Sequence, residues 1–290
     1  MNKLLDYAEL TRFNRPIGSF LLMWPTLWAL WLAADGLPDL SLIVVFVLGV
    51  FSMRSAGCVI NDYADRKVDG HVDRTKNRPI PSGRVSEKEA LALFAGLALL
   101  SFVLVLFTDL QTILLSVVGL GLAALYPFMK RYTHLPQLFL GLAFSWAIPM
   151  AYSAQGGNLA DPQLWMLFVA NCFWTIAYDT YYAITDRPDD LKIGIKSTAI
   201  LFAQYDLLVI VCLQGLMLSL MFWVGILSAQ HWPYFVALLA CLWLFYQQFQ
   251  QSKTRDRQAC FKSFLDNNRV GYTLFLGIIG SYFVEYMALM

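Results

Sequence analysis

The sequence predicts an all-α polytopic membrane bundle of nine transmembrane helices, with a cytoplasmic cap built from two long loops. Three observations carry that prediction. Of the 290 residues, 58% are hydrophobic and the mean hydropathy is +0.56, well above the apolar share of a soluble domain. Nearly the whole chain falls into apolar runs of about 17–25 residues, the length at which a helix crosses a bilayer. Basic residues, finally, gather in alternate loops, while the net charge is only +1.

The runs are 17–34, 41–60, 91–107, 112–129, 135–153, 164–183, 207–227, 233–250 and 271–289. Segment 2–15 before them reads as an interfacial amphipathic helix. The first run is as long as a full span and follows Asp6 and Glu9, so it reads as a span and not as a cleaved leader. All 21 Lys and Arg lie in the N-terminal segment, in or near the loops after runs two, four, six and eight, or (Arg54) near the end of run two. The alternate loops carry Asp35, Asp39, Asp109, Asp161 and His231, with no Lys or Arg. This asymmetry predicts a cytoplasmic N-terminus and an external C-terminus. So little chain is left over that residues 1–290 read as one transmembrane unit, two four-helix halves plus a ninth helix. A balanced charge without a basic stripe gives no reason to expect a nucleic-acid partner.

Two loops stand out, about 61–89 and 184–206. In the first, Ser86 followed by Glu89 predicts a capped helix start. The segment from Lys253 to Arg269 reads as a loop facing solvent or lipid headgroups. The five cysteines are scattered without a CxxC pair, which indicates neither a disulfide framework nor a thiolate metal site. Gly119-Leu-Gly-Leu-Ala-Ala124 mimics a dinucleotide fingerprint, but it lies inside a span with no preceding strand. Close helix packing is the better reading.

The chemistry concentrates at the two loop mouths. Asp62, Asp65 and Asp69 stand at i, i+3 and i+7 after Asn61, on one helical face. Asp179, Tyr182 and Asp186 repeat that spacing, and Asp190 follows. Carboxylates crowded at a membrane edge repel one another and resist desolvation, so they mark function. Paired acidic faces can hold divalent cations, and the cations a polyphosphate. Basic groups suited to such an anion are Arg66, Arg74, Arg78, Lys130, Arg131 and Lys192, beside Tyr126. Arg54 lies inside a span and needs a partner. That partner is a motif aspartate or an anion, either a diphosphate or a carboxylate.

With these motifs in view, the chain resembles the UbiA superfamily of intramembrane prenyltransferases over almost its full length. The resemblance rests on Leu22-Met-Trp-Pro-Thr-Leu-Trp28, on Met53 to Ile60 with the NDxxDxxxD that follows, on Tyr126 to His134, and on Tyr178 to Thr198. It implies a central cavity open to lipid and Mg²⁺ held by Asp62, Asp65, Asp69, Asp186 and Asp190, with Tyr126 and Lys130 as a YxxxK pair. It also implies a polyprenyl diphosphate donor and, in the branch serving ubiquinone synthesis, 4-hydroxybenzoate as acceptor, in a bacterial inner membrane. Asp186 is a candidate to polarise the phenol; Arg54, Arg66 or Arg131 could hold the carboxylate. Pro188 departs from the expected pattern and predicts that Asp190 reaches the metal from a loop. The rival readings are a related prenyltransferase with another acceptor and a cation-coupled transporter.

Overall fold

The computed structural model describes residues 3–69 and 75–290, with the backbone alone at 67–69, 193 and 289. Among them every regular element is helical. Helix α1 (Lys3–Leu10) precedes α2 (Ile17–Ala34), α3 (Leu40–Asp69), α4 (Glu87–Val105) and α5 (Leu110–Tyr132). Two short helices follow, α6 (Pro136–Ser145) and α7 (Ala147–Ala154), and then the long α8 (Pro162–Ile193). Helix α9 (Thr198–Phe202) and a 3₁₀ turn lead into α10 (Asp206–Leu227), α11 (Trp232–Ser252) and α12 (Arg257–Leu289).

Helices cover all nine apolar runs. Among the described residues, six stretches are long and apolar enough to cross a membrane: α2, α3, α4, α5, α9–α10 and α12. The fifth run is instead divided at Trp146 into α6 and α7. Pro149 has no N–H to offer the Ser145 carbonyl, and its ring crowds that position, so the helix breaks there. The Trp146 indole then donates to Leu115 O at 2.8 Å. Helices α8 and α11 dilute their hydropathy with Trp, Tyr and amide side chains.

Pro188 requires a correction. Helix α8 continues through it to Ile193, so Asp190 sits on the helix and not on a loop. A proline removes one backbone hydrogen bond, but the turns around it are tied down from outside by Arg187 to Asp206 and by Arg257 to Asp189. The last helix also starts earlier than its apolar run suggests. Asp256 caps it by accepting from Ala259 N at 3.0 Å, and polar residues that mask the run in sequence are used inside the bundle. Asn267 accepts the Trp174 indole N–H at 2.8 Å, and Asn268 accepts that of Trp24 at 2.8 Å.

Lipid is as apolar as a leucine core, so these helices associate through close packing and hydrogen bonds more than through the hydrophobic effect. The contact at Gly271 shows how tight that packing is. A Cβ there would meet Trp24 Cδ1 at 2.3 Å, while the Gly271 carbonyl accepts the Trp28 indole N–H at 3.2 Å.

Helix α1 closes over the first loop. Ser86 and Glu89 form the expected capping box, Glu89 N to Ser86 Oγ at 3.2 Å and Ser86 N to Glu89 Oε2 at 2.8 Å. Lys3 and Tyr7 reach the same carboxylate at 2.9 and 3.1 Å. Arg84 lies 2.7 Å from both Asp6 and Glu9 and donates to Asn77 O. The Arg84 guanidinium holds the Glu9 carboxyl below its ordinary value. The tie is therefore complete above that ordinary value and lost as pH falls through the depressed one. We expect the amide protection factors of α1, measured against the intrinsic exchange rate at each pH, to fall on acidification below about pH 4.5, the ordinary glutamate range. In a Glu9→Gln variant that fall should shrink.

Candidate active site

One cavity of ≈ 1790 Å³ collects both acidic motifs. From the first it takes Asn61, Asp62 and Asp65, and from the second Asp179, Tyr182, Asp186 and Asp190. Helix α3 delivers Asp62 and Asp65 one turn apart at its polar end, while its earlier residues Val45, Phe46 and Val50 line the apolar end. At about 1.5 Å per residue, Asp62 and Phe46 lie on the order of 25 Å apart along the helix. Leu120, Leu140, Phe144 and Met150 continue the apolar wall. The cavity is thus charged at one end and greasy along its length.

At the charged end, cations already grip the first motif. Asp62 is 2% exposed and accepts from Arg12 at 2.8 and 3.0 Å and from Arg78 at 3.0 Å. Asp65 pairs with the Lys130 ammonium, and Arg131 lies 3.9 Å away. Arg66 also lines the cavity, with its guanidinium 4.0 Å over the Tyr63 ring and 3.0 Å from Glu87. The Asp69 side chain and the whole of Arg74 lie outside the described residues. Lys192 does not line the cavity. Its side chain is 76% exposed, 3.8 Å from Asp189, because two positions past Asp190 the helix face has turned to solvent.

A second layer lies deeper. Arg54 precedes Asp62 by eight residues and Asp179 precedes Asp186 by seven, so both sit about 10–12 Å further along their helices. Arg54, Tyr126 and Asp179 are electrostatic neighbours there. Arg54 donates to Cys58 Sγ at 3.2 Å and lies over the Phe144 ring at 5.7 Å. Gly18 makes room for it, since a Cβ at that position would fall 2.8 Å from both Arg54 Nε and Nη2. We expect Gly18→Ala to displace Arg54 and lower kcat/KM roughly tenfold for whichever substrate meets that guanidinium, since misplacements near 1 Å cost up to 10²-fold. The melting temperature should hardly move.

Sequence reasoning missed several lining residues. Arg12 and Arg15 lie in the α1–α2 connector, where basic residues were expected from topology alone. Gln137 is buried, lines the cavity, and its Oε1 accepts from Thr198 N at 3.1 Å. A Pro-Gln pair opening an apolar run carried no signal. Arg257 also lines the cavity, reaching it from a segment read as solvent-facing.

The site suits a divalent cation by the chemistry of its donors. The available ligands are carboxylates, hard oxygen donors of the kind Mg²⁺ takes, and Mg²⁺ is commonly held by one or two carboxylates with phosphate and water completing its shell. Among the described residues no three acidic, Cys or His side chains converge as a ready-made cage. Pairs presented from two sides of a cavity wide enough for a phosphate chain meet that requirement.

Comparison with known proteins agrees with this geometry. The UbiA prenyltransferase family profile matches residues 22–278. The 4-hydroxybenzoate octaprenyltransferase of Marinomonas sp. (strain MWYL1) is 82% identical over 284 residues, covering 98% of this chain and 100% of that one. The protein of the same name from Serratia proteamaculans (strain 568) is 60% identical over 281 residues, 97% of each chain. In structure, a UbiA homolog from Aeropyrum pernix K1 superposes with a TM-score of 0.79 at 23% identity, covering 93% of this chain and 98% of that one. A UbiA homolog from Archaeoglobus fulgidus bound to GPP and Mg²⁺ gives 0.71 at 17% identity, covering 95% and 99%. These two likenesses establish a shared fold.

Proposed function

The chain belongs to the UbiA prenyltransferase family, and on that premise we propose that it moves a polyprenyl group from its diphosphate to 4-hydroxybenzoate, releasing diphosphate. The new bond forms at the ring carbon ortho to the hydroxyl. The observation that carries the reading is that both acidic motifs and their cations line one cavity with an apolar extension. It is a multi-pass protein, and we place it in a bacterial inner membrane. Its nine helical runs act as spans within one domain, the two loops cap the cytoplasmic mouth, the N-terminus is inside and the C-terminus outside.

Asp62, Asp65, Asp186 and Asp190, with Asp69, would hold Mg²⁺. When bound, that ion neutralises diphosphate charge and makes it a better leaving group. Arg12, Arg78, Lys130 and Arg131, now on carboxylates, lie within reach of the same space and supply charge to the departing diphosphate. The apolar wall seats the prenyl chain and keeps water from the allylic cation, which aromatic faces such as Phe144 can stabilise. Arg54 in the deeper layer anchors the acceptor carboxylate. The ring then lies between the layers, with its hydroxyl toward Asp186, which polarises the phenol. Once the allylic C–O bond has ionised and diphosphate has left with its electron pair, the ortho carbon attacks the allylic cation, and loss of the ring proton to a base restores aromaticity.

The test is direct. Purified protein in lipid, given Mg²⁺, octaprenyl diphosphate and 4-hydroxybenzoate, should yield prenylated ring and diphosphate in equal amounts. Diphosphate release only with another aromatic acceptor would point to a sibling specificity. No transfer to any acceptor, together with cation-driven uptake, would point to a transporter.

A further inference from the structure

The end of α8 is held in a way its substrate role does not explain. On that helix Asp186 and Asp190 share a face, while Arg187 and Asp189 project about 60° to either side of the pair. Both flanking side chains are anchored. Arg187 pairs with Asp206, the fully buried first residue of α10. Asp206 also accepts from Arg255 Nε at 2.9 Å and faces Arg255 Nη2 at 2.8 Å. On the other flank Arg257 donates to Asp189 at 2.6 Å, and Thr185 Oγ1 donates to Arg257 O at 3.3 Å.

Two arginines at the α11–α12 connector thus bracket the helix from both sides, one through Asp206 and one directly. The connector adopts an unfavourable backbone to do so: Arg255 has φ +56°, a region that residues with a Cβ seldom enter, and its guanidinium also donates to Gln204 O at 2.8 Å. Pro188 sits between the two anchor points, where the helix lacks a backbone hydrogen bond and is free to bend. Neither Asp206 nor Arg187 lines the substrate cavity.

We propose that Asp206 is a positioning residue for the second acidic motif: through Arg187, with Arg255 and Arg257 bracketing the turn, it keeps Asp186 and Asp190 facing the cavity together across Pro188. This rests on the reading that Asp186 and Asp190 bind the metal–diphosphate. Without the Asp206 charge the last turns of α8 can tilt at Pro188, which moves both carboxylates at once while leaving the deeper Arg54 layer in place.

The experiment uses the full chain in lipid nanodiscs and measures calorimetric affinity for geranyl thiodiphosphate with and without Mg²⁺, KM for 4-hydroxybenzoate, and melting temperature. Asp206→Asn should weaken Mg²⁺-dependent binding about tenfold, the scale of a small misplacement of catalytic groups, and raise acceptor KM by clearly less than that, because the acceptor loses its Asp186 contact but keeps its Arg54 anchor. Asp206→Glu should restore most of the affinity. Arg187→Met, which spares the buried carboxylate, should show the same split and serves if Asp206→Asn does not fold. Unchanged Mg²⁺-dependent affinity in both variants, or a loss of affinity matched by an equal rise in acceptor KM and a fall in melting temperature, overturns the proposal. Asp186→Asn is the reference. If it keeps full Mg²⁺-dependent affinity, the metal reading itself fails; if it loses affinity while Asp206→Asn and Arg187→Met do not, only the positioning role falls.

Discussion

Asp65→Asn and Asp186→Asn should each lower turnover by about 10²–10³, the usual cost of removing one preorganised electrostatic contact from a reacting centre. Asparagine keeps the shape and removes the anion. At position 65 it also leaves the Lys130 ammonium, now paired with that carboxylate, without its counter-charge. At position 186 it removes a charge that faces the cavity from the opposite helix. The Glu variants keep the charge on a longer stem, and they too should lose most turnover because a shift of about 1 Å costs as much as 10²-fold. Turnover at saturating Mg²⁺ is the measurement, and full activity in either Asn variant removes that residue from the mechanism.

Arg54→Leu should have the second large effect, and on the other substrate. Truncating one partner of a desolvated charge pair costs about 2–5 kcal/mol, here in kcat/KM for 4-hydroxybenzoate. The affinity for prenyl diphosphate should stay nearly constant, because Arg54 lies about 12 Å deeper than Asp62 along α3. An acceptor with an uncharged group in place of the carboxylate should bind the variant and the parent alike. If donor affinity collapses instead, Arg54 is a diphosphate ligand and the acceptor carboxylate lies elsewhere.

The parts of this protein that could be read from residues alone are those the membrane itself dictates. Bilayer thickness fixes the length of the apolar runs, and loop charge follows membrane sidedness, so the helical stretches appear without a structure. The motif spacing was legible for the same reason, since i, i+3 and i+7 can only share a face on a helix. What stayed hidden depends on distant partners. Pro188 looked like a helix stop because sequence shows the lost hydrogen bond and not the Asp206 and Arg257 contacts that hold the turns around it. The start of α12 was masked by Asp266, Asn267 and Asn268, whose polarity is satisfied in part by indoles from α2 and α8. Arg12 looked like a topology signal and proves to sit on Asp62. Lys192 erred the other way: its charge and its place beside the motif suggested an anion contact, but the helical turn carries it outward.

A double-mutant cycle on Mg²⁺-dependent affinity for geranyl thiodiphosphate most directly tests whether the two acidic motifs act on one ligand. The four proteins are the parent, Asp65→Asn, Asp186→Asn and the double variant. If both helices grip the same metal-bound diphosphate, the second substitution should cost much less than the first, with a coupling of about 1 kcal/mol or more. Costs that add to within about 0.5 kcal/mol would mean the motifs serve separate ligands and would contradict the shared site.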